Sequence, residues 1–250
     1  MFHLAARVYG VMGNLMNKGP AYYDNTMINT NVIEASRKVS ARKIIAMGST
    51  AIYSDDVPLP MREEDVWKGA PHGSEDAYAH SKRGMLAQLQ AYHSSYGLDF
   101  AYCICTNLYG PHDKFNETTG HVVPSLISKF QRAQQGGQPI TVWGTGAPER
   151  DFLFSRDAAT ALIAVAETFT GPINIASGEV VSIRSLVETL QRITGVSTVE
   201  WDTSKPDGQA YRKYDTSKLA AIDFTPAYSL EEGLRETFQW YCDHLDSARR

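Results

Sequence analysis

The sequence predicts an α/β fold built on a parallel sheet, and three observations predict it. Short apolar segments alternate with longer amphipathic ones, glycine, proline and serine separate them, and the pattern changes after residue 110. Residues 2–6 read as a buried strand. Residues 21–39 read as a helix, with Ile28, Val32 and Ala35 at three- and four-residue intervals. Residues 43–47 form a second strand ending at Gly48-Ser49, and a polar loop with Pro58, Pro60, Gly69, Pro71 and Gly73 follows. Residues 76–96 are a second helix closed by Gly97, and residues 100–106 a third strand.

Strands alternating with helices of this length imply right-handed crossovers, and ligands of such sheets bind beyond the carboxyl ends of the strands. That rule brings Ala5-Ala6-Arg7, Gly48-Ser49-Thr50 and Thr106-Asn107 to one rim. Beyond residue 110 the expected elements are a helix over 121–135 opening near Pro124, the segments Thr141-Val142-Trp143-Gly144 and, after a loop, Asp151-Phe152-Leu153-Phe154, a helix over 157–168, and a strand at Ile173-Asn174-Ile175. Helices at 183–194 and 230–241 follow. The expected division is 1–110 with 151–178 as the sheet domain, and 111–150 with 179–245 as a smaller α/β region. No internal repeat is visible.

The chain has 250 residues, 43% hydrophobic and 21% charged, with a formal net charge of −4. Acidic and basic residues are interspersed, so no basic footprint for nucleic acid is present. No apolar run approaches the roughly 18 residues that span a bilayer. Three cysteines do not suggest a disulfide framework, and Cys103 and Cys105, two apart in a strand, point to one face as small core residues. The seven histidines show no metal-site spacing. A cytoplasmic protein without a metal is expected.

Tyr78-Ala79-His80-Ser81-Lys82 sets a phenol and an ammonium four residues apart on one helix face. A phenol with a reference pKa of about 10 is a poor proton shuttle at neutral pH, and moving it by two or three pH units requires roughly 3–4 kcal/mol. A positive charge about 4 Å away supplies up to about 4 kcal/mol at an effective dielectric near 20. The pair therefore suffices for general acid–base work. Spacing alone is weak evidence: Tyr214-Asp215-Thr216-Ser217-Lys218 repeats it and reads as a chance match in a surface segment. Tyr78 differs in its setting, because Ser49 ends the preceding strand and Asn107 the following one.

With these residues in order, the sequence resembles the extended short-chain dehydrogenase/reductases, the NAD-dependent epimerase/dehydratase family, and within them the GDP-L-fucose synthases. The resemblance runs from Phe2 to about Tyr241. It is carried by His3-Leu4-Ala5-Ala6, Gly48-Ser49, Tyr78-Ala79-His80-Ser81-Lys82, Thr106-Asn107-Leu108-Tyr109-Gly110-Pro111-His112-Asp113, His121-Val122-Val123-Pro124, Trp143-Gly144-Thr145-Gly146 and Ser204-Lys205-Pro206-Asp207-Gly208. It implies a Rossmann-like sheet, a GDP-linked 4-keto-6-deoxyhexose as substrate, a nicotinamide coenzyme (NADP or NAD, usually NADPH) and a homodimer through the helices at 21–39 and 76–96. Ser49, Tyr78, Lys82 and His121 would be catalytic. Ala5, Ala6, Met47, Gly48, Ser49, Thr50, Lys82, Cys105, Thr106, Asn107, Leu108 and His121 would line the coenzyme. Asn107, Lys129, Trp143, Arg150 and Asp207 would hold the nucleotide sugar. Independently of the resemblance, Arg150 and Lys129 suit a pyrophosphate and Trp143 a planar ring, whereas Pro206-Asp207-Gly208 is also an ordinary turn signal.

Two departures sharpen the expectation. The resembling synthases carry a cysteine two positions after the serine, which works with the histidine matching His121 in 3,5-epimerisation; here that position is Ala51. Loss of a positioned acid or base costs about 10²–10⁴-fold, so C4 redox chemistry is expected without full epimerisation. Gly48-Ser49-Thr50-Ala51 also resembles UDP-sugar 4-epimerases, the alternative reading; a 4,6-dehydratase is disfavoured by Ala51-Ile52, where that class carries Asp-Glu. Secondly, no glycine-rich dinucleotide-binding turn opens the sequence; Gly10 and Gly13 read as part of a substrate-side loop. Two βα units of roughly 30 residues each are expected upstream of Phe2, and without them a non-catalytic fragment keeping only the sugar-nucleotide pocket is the remaining alternative.

Overall fold

Ile44-Ile45-Ala46 is apolar and buried on three successive residues because it lies in a central parallel strand, covered on both faces. In the computed structural model, which describes residues 1–136, 139–205, 207 and 211–250 (Val11 and Met12 by their backbone only), this strand is β2 (Lys43–Met47). It pairs in parallel with β1 (Phe2–His3) on one side and β3 (Asp99–Cys105) on the other; β8 (Gly171–Ile175) follows, giving the order β1-β2-β3-β8. Helices α1 (Val11–Met16) and α2 (Lys18–Lys38) connect β1 to β2, and α3 (Asp76–Tyr96) connects β2 to β3. Gly97 closes α3 in the left-handed region, at φ 68°, where glycine carries no Cβ penalty. The core gathers Ile44, Ala46, Phe100, Tyr102 and Ile104 from the sheet with Ile33 of α2 and Met85, Leu86 and Leu89 of α3.

The strand expected over residues 2–6 ends at His3. Asn25 of α2 draws the chain away: its Oδ1 accepts from Arg7 N and its Nδ2 donates to Arg7 O, both at 2.9 Å. The second difference concerns Tyr214-x-x-x-Lys218, expected on the surface. Tyr214 is buried, bridges Met61 and lies with its ring 6.1 Å from that of Tyr53. One residue of β8 explains the capture. Asn174 Nδ2 donates to Met61 O (3.1 Å) and Asp215 O (3.0 Å), its Oδ1 accepts from Tyr53 Oη (2.7 Å), and its N donates to Glu63 Oε1 (2.8 Å).

These elements belong to a first compact unit, Met1–Thr106, Ala158–Ala176 and Tyr214–Thr225, which also holds most of α5 (Ser155–Thr168) and the short α7 (Ser217–Ala220). The second unit is Asn107–Asp157, Ser177–Lys213 and Pro226–Arg250. It contains three two-stranded ladders: β4 (Asn107–Tyr109) with β7 (Phe152–Phe154), β5 (Ile140–Trp143) with β10 (Val199–Asp202), and antiparallel β6 (Glu149–Arg150) with β9 (Val181–Ser182). Helices α4 (Val122–Gln134), α6 (Ile183–Thr194) and α8 (Leu230–Asp243) bury Ile127, Phe130, Leu186, Leu190 and Leu234 against Ile140. Ser229 and Glu232 form a capping box at the start of α8. The boundaries differ from the expected 1–110 with 151–178, because Asn107–Tyr109 pairs with β7 and Tyr214-Asp215 is fastened to β8.

Among the described residues no helix is long and apolar enough to cross a membrane, and no group of three or more His, Cys, Asp or Glu is placed to hold a metal ion.

Candidate active site

The strands β1, β2 and β3 run parallel, so their carboxyl ends share one rim, and Ser49 stands just past the end of β2. Gly48 precedes it for a steric reason: a Cβ there would lie 2.6 Å from the Tyr102 ring. Gly48 N donates to Cys103 O at 2.7 Å, which ties the turn to β3. Ser49 then caps a 3₁₀ turn over Thr50–Ile52, its Oγ accepting from Ala51 N at 3.2 Å. This bond fixes the serine rotamer while leaving its hydroxyl proton free to point elsewhere.

Tyr78 sits in the first turn of α3 and hydrogen-bonds the Ser49 hydroxyl. The phenol is held well above its ordinary pKa, first by burial, then by the Glu75 carboxylate and the Cys105 thiol; the Ser49 bond opposes them. Lys82, 2% exposed, donates to Met47 O at 2.8 Å and stands 5.8 Å from the centre of the Tyr78 ring. Burial lowers its ammonium to about pKa 8. The expected effect of Lys82, lowering the phenol pKa across about 4 Å, is not among the causes acting on Tyr78 here: the ammonium stands 5.8 Å from the ring centre and is drawn toward Met47 O. The phenol is kept as a proton donor, and the charge beside it is a buried cation that, among the described residues, spends one of its three donors, on Met47 O.

The remaining expected coenzyme residues fall as follows. Ala5 is exposed and Ala6 half-buried past β1; Met47 is half-buried, Thr50 buried. Cys105 and Thr106 are buried at the end of β3, where burial pushes the Cys105 thiol up to about 12, so it is a core thiol as expected, while Thr106 N donates to Ile175 O. Asn107 and Leu108 belong to the second unit, where Asn107 Nδ2 donates to Asp151 O at 3.0 Å. The side-chain amide of Asn107 thus serves the β4–β7 region, as Asp151 in turn accepts from Ser177 N and Gly178 N.

Within the second unit, His121 is the N-cap residue of α4 and exposed, near the half-buried Asp113, whose carboxyl pKa is raised by burial and lowered by its bond from Lys114 N and by His121 and Arg249. Lys129 Nζ donates to Thr141 O at 2.9 Å, and burial lowers its pKa. Trp143 is 52% exposed, with Lys205 Nζ 5.8 Å from its ring centre. Arg150 is half-buried in β6, its Nη1 donating to Glu149 O. Asp207 accepts from Thr145 N (2.6 Å) and Thr145 Oγ1 (2.8 Å), so its carboxylate closes the Trp143-Gly144-Thr145-Gly146 loop. Pro206 and Gly208, on which the turn reading of this position rests, lie outside the described residues.

Sequence reasoning missed Arg83 and Tyr102, which join the helix bearing Tyr78 to the turn bearing Ser49. Tyr102 Oη donates to Lys82 O at 3.0 Å, and Arg83 donates to Ile52 O and Gly69 O. Neither follows a recognisable motif; an arginine beside a lysine on a helix reads as a solvated face.

Residues 1–176 match the model of the NAD dependent epimerase/dehydratase family. A probable GDP-L-fucose synthase 1 of Oryza sativa subsp. japonica is 36% identical over 251 residues, covering 98% of this chain and 76% of the relative. A crystal structure of a GDP-L-fucose synthetase from Naegleria fowleri bound to NADP superposes with a TM-score of 0.91 at 32% identity, covering all of this chain and 78% of that one. A UDP-N-acetylglucosamine 4-epimerase from Methanobrevibacter ruminantium M1 superposes at 0.86 with 28% identity over 97% of this chain and 76% of that one. With its serine, tyrosine and lysine at one end of a parallel sheet, and with most of its length matched, the chain belongs to the NAD dependent epimerase/dehydratase family of nicotinamide-dependent enzymes.

Proposed function

We propose that the protein is a nicotinamide-dependent C4 reductase of a GDP-linked 4-keto-6-deoxyhexose that leaves C3 and C5 unaltered. The observation that carries this reading is the Tyr78 phenol, held protonated by burial and bonded to Ser49, beside a turn in which Ala51 has only a methyl group.

The first unit fits the nicotinamide–ribose end of such a coenzyme. Gly48 has no room for a Cβ, and Lys82 holds a buried ammonium with donors to spare for ribose hydroxyls. When bound, the coenzyme supplies the hydride at C4. Tyr78 releases its proton to the oxygen at C4, and the Ser49 hydroxyl donates a hydrogen bond to the same oxygen, limiting the charge that develops there. Lys82 keeps a positive charge near the phenolate that remains, stabilising it until it is reprotonated. In the second unit, Arg150 and Lys129 supply cations for a pyrophosphate and Trp143 an exposed ring for stacking.

Epimerisation needs protons to leave and return at C3 and C5. Ala51 carries no ionisable group, and His121 alone is half of an acid–base pair. The test is turnover of GDP-4-keto-6-deoxymannose with NADPH in D₂O. The expected product is a 6-deoxyhexose with unchanged C3 and C5 and no solvent deuterium at either; predominant GDP-fucose would refute the reading. The second reading, a UDP-sugar 4-epimerase, is supported by the Ser49–Tyr78 pair and the 28% identical epimerase. It predicts interconversion of UDP-sugars without net consumption of coenzyme.

A further inference from the structure

Two consecutive residues of α3 grip the segment after β2 on either side of Ser49. Lys82 Nζ donates to Met47 O, two residues before the serine. Arg83 Nε donates to Ile52 O at 2.9 Å, three residues after it, and Arg83 Nη1 donates to Gly69 O at 2.8 Å. The two ends of the segment are not equally held. Its start is part of the sheet, through Gly48 N to Cys103 O, and rests on the Tyr102 ring. Its far end is a 3₁₀ turn outside any strand, and the guanidinium is its backbone link to the helix that bears Tyr78.

The link is costly to build. Arg83 is 8% exposed, and its Nη2 is buried without a partner among the described residues; leaving a buried donor unsatisfied is unfavourable, above all for a charged group. The two carbonyl bonds have to outweigh that cost, and both fall on the loops that set the depth of Ser49 and Ala51 relative to α3. The Lys82 grip is also the less constant of the two, since a bound coenzyme shares that ammonium.

We propose that Arg83 is a positioning residue: it holds the Ser49 turn in register with Tyr78 by binding Ile52 O and Gly69 O from the same helix. Its kinetic consequence rests on the C4-reductase reading; its geometric consequence does not.

Crystal structures of the wild-type chain, Arg83→Met and Arg83→Lys, with thermal midpoints and steady-state kinetics, test it. In the methionine variant Ile52 O and Gly69 O move away from α3, and Ser49 Oγ leaves hydrogen-bond range of the Tyr78 hydroxyl; lysine keeps one carbonyl of the two and holds the Ser49 turn more loosely than arginine does. The kcat of the methionine variant falls about 10²-fold, the cost of a misplacement near 1 Å, with KM for NADPH unchanged and partial rescue by lysine. An unmoved Ser49–Tyr78 pair overturns the proposal, as does a lowered thermal midpoint with wild-type kcat per folded molecule. If the methionine variant does not fold, amide exchange at Ala51 in the lysine variant decides. Faster exchange supports the proposal, because that amide donates to Ser49 Oγ; unchanged exchange overturns it. A wild-type enzyme that turns over no GDP-4-keto sugar refutes the functional reading, and the structures then judge Arg83 alone.

Discussion

The two units treat their candidate functional groups in opposite ways. In the first, Lys82, Cys105 and Arg83 are buried and Tyr78 is half-buried beside them, and burial is the leading cause of every pKa displacement among them. In the second, Trp143 and Asp207 stand in solvent, and Lys129 and Arg150 are engaged with carbonyls of their own unit. A reacting proton needs an environment that sets its affinity, which requires a packed interior. Recognition of a phosphate or a planar ring needs donors and a face, which a partly exposed ladder provides. On the proposed reading, one unit serves the chemistry and the other recognition, and substitutions should separate kcat from KM along that division.

The largest separation is expected at Tyr78. Tyr78→Phe keeps the ring and removes the proton donor, so kcat for ketone reduction falls about 10²–10⁴-fold, with little change in thermal midpoint or in KM for the sugar. A stopped assay at saturating substrate reads it, and a variant retaining a tenth of wild-type kcat or more would break the division outright. Arg150→Ala is the counterpart. Removing one charged phosphate partner is expected to raise KM for the GDP-sugar about 10- to 100-fold, since a charge-assisted bond contributes roughly 1.5–3 kcal/mol, while kcat is preserved. A matched fall in kcat would show that Arg150 acts on the transition state.

The smallest effect concerns stability. Burial lowers the Lys82 pKa to about 8 from its ordinary value of 10.5. Between these values the unfolded chain binds more protons than the folded one, so the Lys82 contribution to stability rises with pH across that window and levels off above it. Below about 8 both states are protonated, and the full cost of burying the charge is present. Thermal midpoints of the coenzyme-free chain from pH 7.5 to 10 should therefore show a rising component that Lys82→Met removes. An identical profile in the variant would mean that the ammonium is not desolvated as described.

What was legible in the sequence follows from how local each cause is. The bounds of β2 and α3 were readable because apolar runs and a terminal glycine are written within the element itself; Lys43–Met47 and Asp76–Tyr96 fall where the pattern puts them. The Tyr78–Lys82 spacing was readable for the same reason. Its electrostatics were not, because they depend on Glu75 and Cys105 and on a carbonyl of Met47, 35 residues from Lys82. Tyr214 was misplaced for a related reason: its polar neighbours indicate surface, whereas Asn174 and Met61 draw it into the core. Asp207 is a third case, since Thr145, 62 residues away, occupies both its oxygens.

Asn174 has a further consequence, for the order in which the chain acquires its shape. Tyr53, Met61 and Glu63 wait for one residue of β8, Asn174, that is synthesised more than a hundred residues later, and Asp215 must follow before the last of its bonds closes. During synthesis from the N-terminus, the loop between β2 and α3 therefore stays unanchored on that side until most of the protein has left the ribosome. The turn that presents Ser49 is written early in the chain, but the surroundings that steady the loop beyond it are among the last to arrive.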